Sequence, residues 1–170
     1  MFIAIVMESI MANVSTDLVW EEIEKNIFAV LGMVSSKHEA RTAGIVYIAH
    51  QGKLYIASDK NAWKTRHIAA NPHVSLTVAI PKSVPLMPWV KVPAATITFA
   101  GAATLVAPDT LDAQLRNRLY GPVAADAAKI AGSTVIVVEP IGEFVTYGVG
   151  VSLMEMRDTV KARGRAPVRP

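Results

Sequence analysis

Two lysines spaced four residues apart give the clearest indication of chemistry in this sequence. Lys60 and Lys64 follow a predicted strand and lie beside Trp63 and His67. If Asp59 caps a helix here, both lysines lie on one face of its first turns, where they repel each other and oppose the helix dipole. The arrangement becomes favourable when an anion such as a phosphate binds at the helix N-terminus, where free backbone N–H groups point. The alternative is a solvated, charged helix face, and spacing alone leaves both interpretations open.

No standard catalytic motif occurs elsewhere in the sequence. There is no GxSxG elbow, P-loop or GxGxxG fingerprint, and no pair of carboxylates stands out as a general acid and base. The chain has no cysteine, which excludes disulfides, zinc–thiolate sites and cysteine nucleophiles. We therefore predict no catalytic side chain and no metal site, and an enzyme of this kind would take its chemistry from a cofactor. The histidines lack ligand-pair spacing and are predicted to be surface or packing residues: His38, His50, His67 and His73.

The composition favours one apolar domain. The chain has 170 residues, of which 52% are hydrophobic and only 18% charged, so we expect surface to be covered by a second subunit or a cofactor. A net charge of +3 is too small to indicate nucleic-acid binding. The N-terminal sequence MFIAIVMESIM lacks a basic leader and is too short to span a membrane, so we predict a cytoplasmic protein without a membrane partner.

Strands on both sides of the lysine segment are predicted to position it. Residues 44–49 and 54–57 are apolar at almost every position, which indicates two strands with both faces covered. His50-Gln51-Gly52 between them predicts a hairpin turn. Asn71-Pro72 ends the helix, because the residue before a proline avoids helical geometry, and residues 73–80 form the next strand.

The remaining pattern predicts a mainly β fold, a β-barrel with peripheral helices and about seven strands. We expect a flexible N-terminal arm at residues 1–14, a cofactor-binding domain at 15–150 and a basic C-terminal tail at 151–170. The other predicted elements are a helix capped by Ser15-Thr16-Asp17 and ending at Lys25, a strand at 27–34, a polar loop at 35–42, a strand at 95–107 with Gly101 as a bulge or close-approach point, helices at 108–119 and 123–131, strands at 135–138 and 143–149, and a short helix at 153–161 followed by coil.

Residues 81–95 form the least regular segment of the sequence. Four prolines in this stretch exclude a helix or an interior strand. The loop also carries apolar residues, so we expect it to bury something. It either folds onto its own domain, covers a ligand as a lid, or reaches across to a partner subunit. The apolar residues are Leu86, Met87, Trp89 and Val90.

Three stretches of the sequence resemble a known family. LYIASDKNAWKTRHIAANPHVSLTV is similar to the signature of the pyridoxamine 5′-phosphate oxidase-like split-barrel flavoproteins, in which a strand leads to a helix carrying K-T-R-[NH]-[LI], then N-P and a strand reading V-S-L. GIVYIAHQGKLYI resembles the hairpin that lines the cofactor in that family. ITFAGAATLVAPD resembles a later strand with a glycine before A-x-L-V. The resemblance covers residues 27–149.

The resemblance implies a split β-barrel of the FMN-binding type that forms a homodimer, with FMN or the deazaflavin F420 at the subunit interface. By position, Lys64 would meet the cofactor phosphate, and Ala57 and Ser58 would lie near the ring or phosphate. Many relatives carry an arginine where this chain has Ala62, and Lys60 is the predicted replacement. The full set of implied cofactor-binding residues is Gly44, Ile45, Val46, Tyr47, Ala57, Ser58, Lys60, Trp63, Lys64 and Thr65.

The same resemblance implies a function. The first hypothesis is an FMN- or F420-dependent oxidoreductase that transfers a hydride between the cofactor and a small organic substrate. Arg41 or Arg66 could then serve the longer anionic tail of F420. The tail of the chain matches no substrate-phosphate pocket, so oxidation of pyridoxamine phosphate itself is not expected. The alternatives are a non-catalytic flavin- or haem-binding carrier, sensor or storage protein, and a barrel without a cofactor.

Overall fold

A mixture of eight strands and short helices forms the protein, and the computed structural model describes residues 12–87 and 89–168. Residues 1–11 of the predicted arm at 1–14 therefore lie outside the described residues. The strands are β1 (Phe28–Val34), β2 (Ala40–Val46), β3 (Ile48–His50), β4 (Lys53–Asp59), β5 (His73–Ile80), β6 (Ala95–Val106), β7 (Ser133–Tyr147) and β8 (Arg163–Pro167). The α-helices are α1 (Thr16–Lys25), α2 (Trp63–Ala70), α3 (Ala113–Tyr120) and α4 (Ala127–Ala131), with 3₁₀ turns at Pro108–Thr110, Gly121–Ala125 and Glu155–Arg157.

The strands belong to one sheet in the order β2-β1-β5-β6-β7-β4-β3, and β8 also pairs with β7. The pairs β1–β2, β3–β4, β4–β7 and β7–β8 are antiparallel. Alternate residues of β6 are buried and exposed, as expected for strands with one face on a core. The predicted mainly β fold with peripheral helices is confirmed.

The chain divides into two compact units, and each is made of separate stretches of sequence. The first contains residues up to 26, 77–99 and those from 142 onward. Its core is built on Phe144, whose ring meets Trp20 at 5.5 Å and Phe99 at 5.3 Å in edge-to-face contacts. Ser15 caps α1 as predicted, since its Oγ accepts a hydrogen bond from the Leu18 N–H at 3.2 Å.

The second unit contains residues 27–76 and 100–141. Its fully buried aliphatic side chains come from four strands, β1, β4, β5 and β7, and Gly101 lets β6 approach β7 closely. A Cβ at Gly101 would lie 2.6 Å from Cγ1 of Val138, so only glycine fits there, as the predicted close approach requires. The core residues include Leu31, Leu54, Ile56, Leu76 and Ile136. The predicted domain boundaries do not coincide with the limits of the two units, and they stay predictions.

The segment predicted as one strand at 44–49 is two strands, and its first part is exposed. β2 begins at Ala40, inside the predicted polar loop, and ends at Val46. β3 begins at Ile48, so the chain breaks its strand geometry at Tyr47. Most of β2 is exposed, and Val46 has 64% of its surface accessible. Within one chain only one face of β2 is covered, and cover of the other face by a second subunit or a cofactor stays a prediction.

The C-terminal half of the chain has longer strands and shorter helices than predicted. β7 is continuous, whereas the sequence predicted two strands around a turn at 139–142. The predicted coil after residue 161 is wrong, because β8 pairs with β7 from Glu143↔Pro167 to Tyr147↔Arg163. The segments predicted as helices at 108–119 and 123–131 each begin with a 3₁₀ turn. The segment predicted as a helix at 153–161 contains only the 3₁₀ turn Glu155–Arg157.

The proline-rich loop carries its apolar side chains on the outside of the first unit. A tight turn joins Val84 to Met87, with the Met87 N–H donating to the Val84 carbonyl at 3.1 Å. Leu86 adopts a φ of 66° in this turn and is 94% exposed. Met87, Trp89 and Val90 are exposed as well. The interpretation as a loop folded onto its own domain is therefore wrong for these side chains, and the lid and the arm stay predictions.

Candidate functional site

A cleft of about 420 Å³ lies in the second unit and is the strongest candidate for a ligand site. Its size falls within the range of roughly 300–1,000 Å³ that is usual for small-molecule pockets. Four parts of the chain form it: the residue before β1, the β2–β3 region, β4 with the start of α2, and the end of α3. The lining residues are Ile27, Gly44, Ile45, Val46, Tyr47, Ile48, Ile56, Ala57, Lys64, Arg118 and Leu119.

The strand break at Tyr47 shapes one side of the cleft. The Tyr47 N–H donates to the Ile27 carbonyl at 2.9 Å, which holds the break against the residue that precedes β1. Tyr47 is almost fully buried, and this burial raises the pKa of its phenol well above the usual range. Tyr47 therefore stays protonated at neutral pH and cannot act as a base there.

Helix α2 places Lys64 in the cleft, but its start differs from the prediction. The helix begins at Trp63 with Ala62 as its N-cap, and no side chain from the described parts of the chain caps it. Asp59 does not cap the helix as predicted, because its Oδ1 accepts from the Asn61 N–H at 2.6 Å in a local turn. The first N–H groups of α2 are consequently free of a side-chain acceptor, which suits an anion.

Lys60 does not share a helix face with Lys64, and this part of the prediction is wrong. It lies in the turn before α2, where its Nζ donates to the Ala131 carbonyl at 2.7 Å and its N–H donates to the Gly132 carbonyl at 3.1 Å. Lys60 does not line the cleft. The role of Lys60 in this structure is to tie the turn to the end of α4.

Three other predicted residues also lie outside the cleft lining. Ser58 and Thr65 are buried, and their hydroxyl oxygens lie 3.0 Å apart. Thr65 Oγ1 also donates to the Asp59 carbonyl at 2.8 Å, so this pair fixes the turn that leads into α2. Trp63 is partly exposed, and its ring meets that of His67 at 5.6 Å. The six predicted residues that do line the cleft are Gly44, Ile45, Val46, Tyr47, Ala57 and Lys64.

Two cations face the cleft without an acidic partner. Within the described part of the chain, neither the Lys64 ammonium nor the Arg118 guanidinium takes part in an ion pair or hydrogen bond. None of the described residues that line the cleft is acidic. Two uncompensated cations at one cleft repel each other, so an anion bound between them lowers the electrostatic energy. The arrangement can bind a phosphate or a carboxylate.

Sequence reasoning missed the contribution of α3. Arg118 and Leu119 lie near the end of this helix, far along the chain from Lys64. The only signal in the sequence was a pair of arginines on the helix, Arg116 and Arg118, which is also typical of a solvated helix face. Only the packing of the helix beside β4 distinguishes Arg118 from Arg116.

Neither a cluster of metal-ligating side chains nor a helix able to cross a membrane occurs among the residues that the structure describes. These residues contain no group of three or more histidine or acidic side chains that could ligate a metal ion. They also form no helix with the length and apolar character needed to cross a membrane.

Comparison with known proteins places the chain in a family. The sequence model of the pyridoxamine 5′-phosphate oxidase family matches residues 15–145. No curated protein sequence matches the chain. Solved structures with a similar fold include an F420 reductase, with 21% identity and a TM-score of 0.53 over 73% of this chain and 93% of that one.

Two further structures with this fold are haem proteins. The heme binding protein from Mycobacterium smegmatis has 17% identity and a TM-score of 0.65; the match covers 90% of this chain and 57% of that chain. HutZ, the heme storage protein from Vibrio cholerae, has 14% identity and a TM-score of 0.60 over 78% of this chain and 94% of that chain. At these identities the structural likeness supports the fold alone, and it confirms the predicted split β-barrel. With the family match across most of its length, the chain belongs to the pyridoxamine 5′-phosphate oxidase family.

Proposed function

We propose that the protein is an oxidoreductase that binds FMN, or alternatively F420, in the cleft between β2–β3, α2 and α3. The observation that carries this proposal is the presence of Lys64 and Arg118 at a cleft that is otherwise mostly apolar, two cations with no acidic partner among the described residues. Both cofactors join a flat ring system to a phosphate-bearing chain, and the family match supports a ligand of this class.

The residues present fit such a group in three ways. Lys64 and the free N–H groups at the start of α2 would hold the phosphate. The backbone at Gly44–Tyr47 would lie along the ring, where peptide groups can donate and accept hydrogen bonds. Ile27, Ile48, Ile56 and Leu119 would exclude water from the other parts of the cleft.

Any hydride transfer would come from the bound flavin or deazaflavin, since the described cleft residues include no candidate base. Tyr47 is held in its neutral form, and the lining has neither histidine nor carboxylate. The protein would therefore contribute binding, orientation and exclusion of water to the reaction.

A homodimer is part of the proposal. Ile27 and Val46, at the edge of the cleft, are 67% and 64% exposed, and Phe28 and Val30 add further exposed apolar surface on β1. A second copy of the chain would cover this surface and close the cleft. Sedimentation of the wild type as a dimer, and of Val46→Glu as a monomer, would support this assembly; a monomeric wild type would contradict it.

A non-catalytic haem carrier is the second candidate. It is favoured by the fold likeness to the haem-binding and haem-storage proteins. Haem carries two propionates, which Lys64 and Arg118 could also bind. An intense Soret band at one haem per chain, together with no binding of FMN or F420, would replace the first proposal with this one.

The deciding experiment is equilibrium titration of the purified protein with FMN, F420 and haemin in turn, followed by absorbance and fluorescence. We expect saturable binding of FMN or F420. In Lys64→Ala the dissociation constant should rise about 10- to 100-fold, the range expected when a hydrogen bond to a charged group is lost.

Lys129→Ala is the matched control for this titration. Lys129 is an exposed lysine of the same unit, paired with Asp126 at 3.4 Å, and it does not line the cleft. Its replacement should leave the dissociation constant unchanged. Equal effects of the two variants, or no binding of any cofactor to the wild type, would overturn the proposed function.

A further inference from the structure

We propose that Arg118 is the second cation of a phosphate clamp, and that it makes the cleft selective for the phosphorylated form of its ligand. This inference rests on the proposed function, because it concerns the same cleft. It adds a specificity-determining residue on α3 that the sequence motif around Lys64 does not contain.

The end of α3 is held firmly at the cleft. Asp112 caps the helix, with its Oδ1 accepting from the Leu115 N–H at 2.9 Å, and Leu115 is buried against the unit. Tyr120, the last residue of the helix, has its hydroxyl 2.8 Å from Ser133 Oγ at the start of β7. Both ends of the helix are therefore anchored, and Arg118 is carried on a fixed backbone rather than on a loose loop.

The guanidinium of Arg118 forms no ion pair within the part of the chain that the structure describes. No carboxylate there lies within ion-pair distance of it, although the same unit forms such pairs elsewhere, for instance between Lys53 and Glu139 at 3.4 Å. Arg118 lines the cleft together with Lys64. The neighbouring Arg116 is on the same helix and does not line it.

Neither Ala62 nor Lys60 brings a second cation to the cleft. Ala62 is the N-cap of α2 and carries no charge. Lys60, the replacement predicted from the sequence, is bonded to the Ala131 carbonyl instead. Arg118 is the cation that the fold brings to the cleft in place of both.

Lys64 and Arg118 would interact with a phosphate in different ways. The Lys64 ammonium acts as a compact point charge, whereas the planar Arg118 guanidinium can donate two parallel hydrogen bonds to a pair of phosphate oxygens. Such a fork makes two charge-assisted hydrogen bonds to a phosphate, whereas an uncharged hydroxyl in the same place can accept only one weaker bond. Removing it should therefore weaken binding of the phosphate monoester much more than binding of the parent alcohol.

The test compares FMN with riboflavin, which lacks the phosphate, in titrations of the wild type, Arg118→Gln, Arg118→Lys and Arg116→Gln. For Arg118→Gln we expect the FMN dissociation constant to rise about 10- to 100-fold and that for riboflavin to change less than about 3-fold. Arg118→Lys should recover part of the loss, because it restores the charge without the fork. Arg116→Gln, with the same chemical change on the same helix, should match the wild type. Thermal unfolding of each variant checks that the fold is intact.

The outcomes separate this inference from the proposed function. If the wild type binds FMN and Arg118→Gln keeps the same preference for FMN over riboflavin, the clamp is wrong and the proposed function stands. If Arg118→Gln weakens both ligands equally, Arg118 is a packing residue of the cleft and the clamp is again wrong. If the wild type binds FMN no better than riboflavin, the selectivity itself is absent and the inference is overturned. If the wild type binds neither FMN nor F420, the proposed function fails and the clamp fails with it.

Discussion

Two concave surfaces of this protein carry a pair of cations each, and they differ in what those cations already contact. The cleft of the second unit has Lys64 and Arg118, with no acidic partner among the described residues. The first unit has a groove of about 340 Å³ on its sheet, which includes Arg163 and Arg165 of β8. There Arg165 is already paired with Glu143 at 2.8 Å.

Two other polar side chains of the groove are also engaged, whereas the buried Thr146 hydroxyl has no hydrogen-bond partner among the described residues. The Tyr147 hydroxyl donates to the Met156 carbonyl at 2.8 Å, and the Thr98 hydroxyl lies 3.2 Å from that of Thr77. The groove is a regular face of paired strands, whereas the cleft is formed at a strand break and at the uncapped start of a helix. Equal positive charge therefore does not make two equal sites, since an anion gains most where cations and N–H groups lack partners.

The largest effect should come from reversing the charge of the cleft. Lys64→Glu combined with Arg118→Glu removes two attractive interactions and adds two repulsive ones. We expect FMN affinity to fall by more than about 100-fold, since each charged hydrogen bond contributes about 1.5–3 kcal/mol. Isothermal titration calorimetry measures the change.

The matched variant reverses the charge of the groove through Arg163→Glu and Arg165→Glu. Its FMN affinity should stay within about 3-fold of the wild type, because neither arginine lines the cleft and salt screens exposed charges. A loss similar to that of the cleft variant would show that overall charge, rather than the unpaired cations of the cleft, governs binding.

A second prediction concerns the buried hydroxyl pair that the sequence analysis assigned to the cofactor. Thr65→Val removes the contact with Ser58 at 3.0 Å and the bond to the Asp59 carbonyl at 2.8 Å. We expect the free energy of unfolding to fall by about 1–3 kcal/mol, because buried polar groups are left without a partner. Urea denaturation measures this loss.

Unlike stability, cofactor binding should be little affected by Thr65→Val. Neither Ser58 nor Thr65 lines the cleft, so FMN affinity should change less than in Lys64→Ala. A variant with normal stability and an affinity loss as large as that of Lys64→Ala would return Thr65 to the set of cofactor-binding residues.

The sequence predicted the cleft residues on the strands and on α2 but missed those on α3. The first group has local signals in the sequence, and the second has none. Continuous apolar runs at 44–49 and 54–57, with the turn between them and the segment up to Lys64, were enough to identify strand, turn and helix. The prediction that Asp59 caps α2 was wrong because its carboxylate accepts a hydrogen bond from the N–H of Asn61, which lies before the helix. Arg118 could not be found, because its approach to Lys64 depends on how α3 packs rather than on any spacing in the sequence.

The C-terminal strands show a second limit of sequence reasoning. Pro140 and Gly142 indicate a turn, yet β7 continues through them, and its partner changes from β4, paired up to Val138, to β8, paired from Glu143. The strand β8 was missed because its sequence RGRAP has no β-branched residue. Its buried positions must be small: a Cβ at Gly164 would lie 2.6 Å from Cγ2 of Val14.

A third prediction uses the buried Tyr47 of the cleft wall. Because burial raises the pKa of this phenol, the folded state keeps the proton after the unfolded state has lost it. The stability from this group is fully present below about pH 10 and falls as the pH rises towards the folded pKa, by about 1.4 kcal/mol per pH unit. Tyr47→Phe removes the group, so its stability should fall less steeply above pH 10 in urea denaturation. Equal slopes for the two proteins would mean that Tyr47 does not resist ionisation.

The smallest effect is expected at the ion pair beside the groove. Arg165 and Glu143 are both more than half exposed, and such surface pairs contribute only about 0.2–1 kcal/mol. A double-mutant cycle with Glu143→Gln and Arg165→Gln, measured by urea denaturation at low and high salt, should give a coupling energy in that range that shrinks as salt is added. The pair matters to the comparison because Glu143 already neutralises Arg165. If Glu143→Gln creates measurable FMN or phosphate binding at the groove, the presence or absence of an acidic partner decides which basic surface of this protein binds anions. If the freed groove still binds nothing, the lack of a helix N-terminus and of a strand break there is the larger difference between the two surfaces.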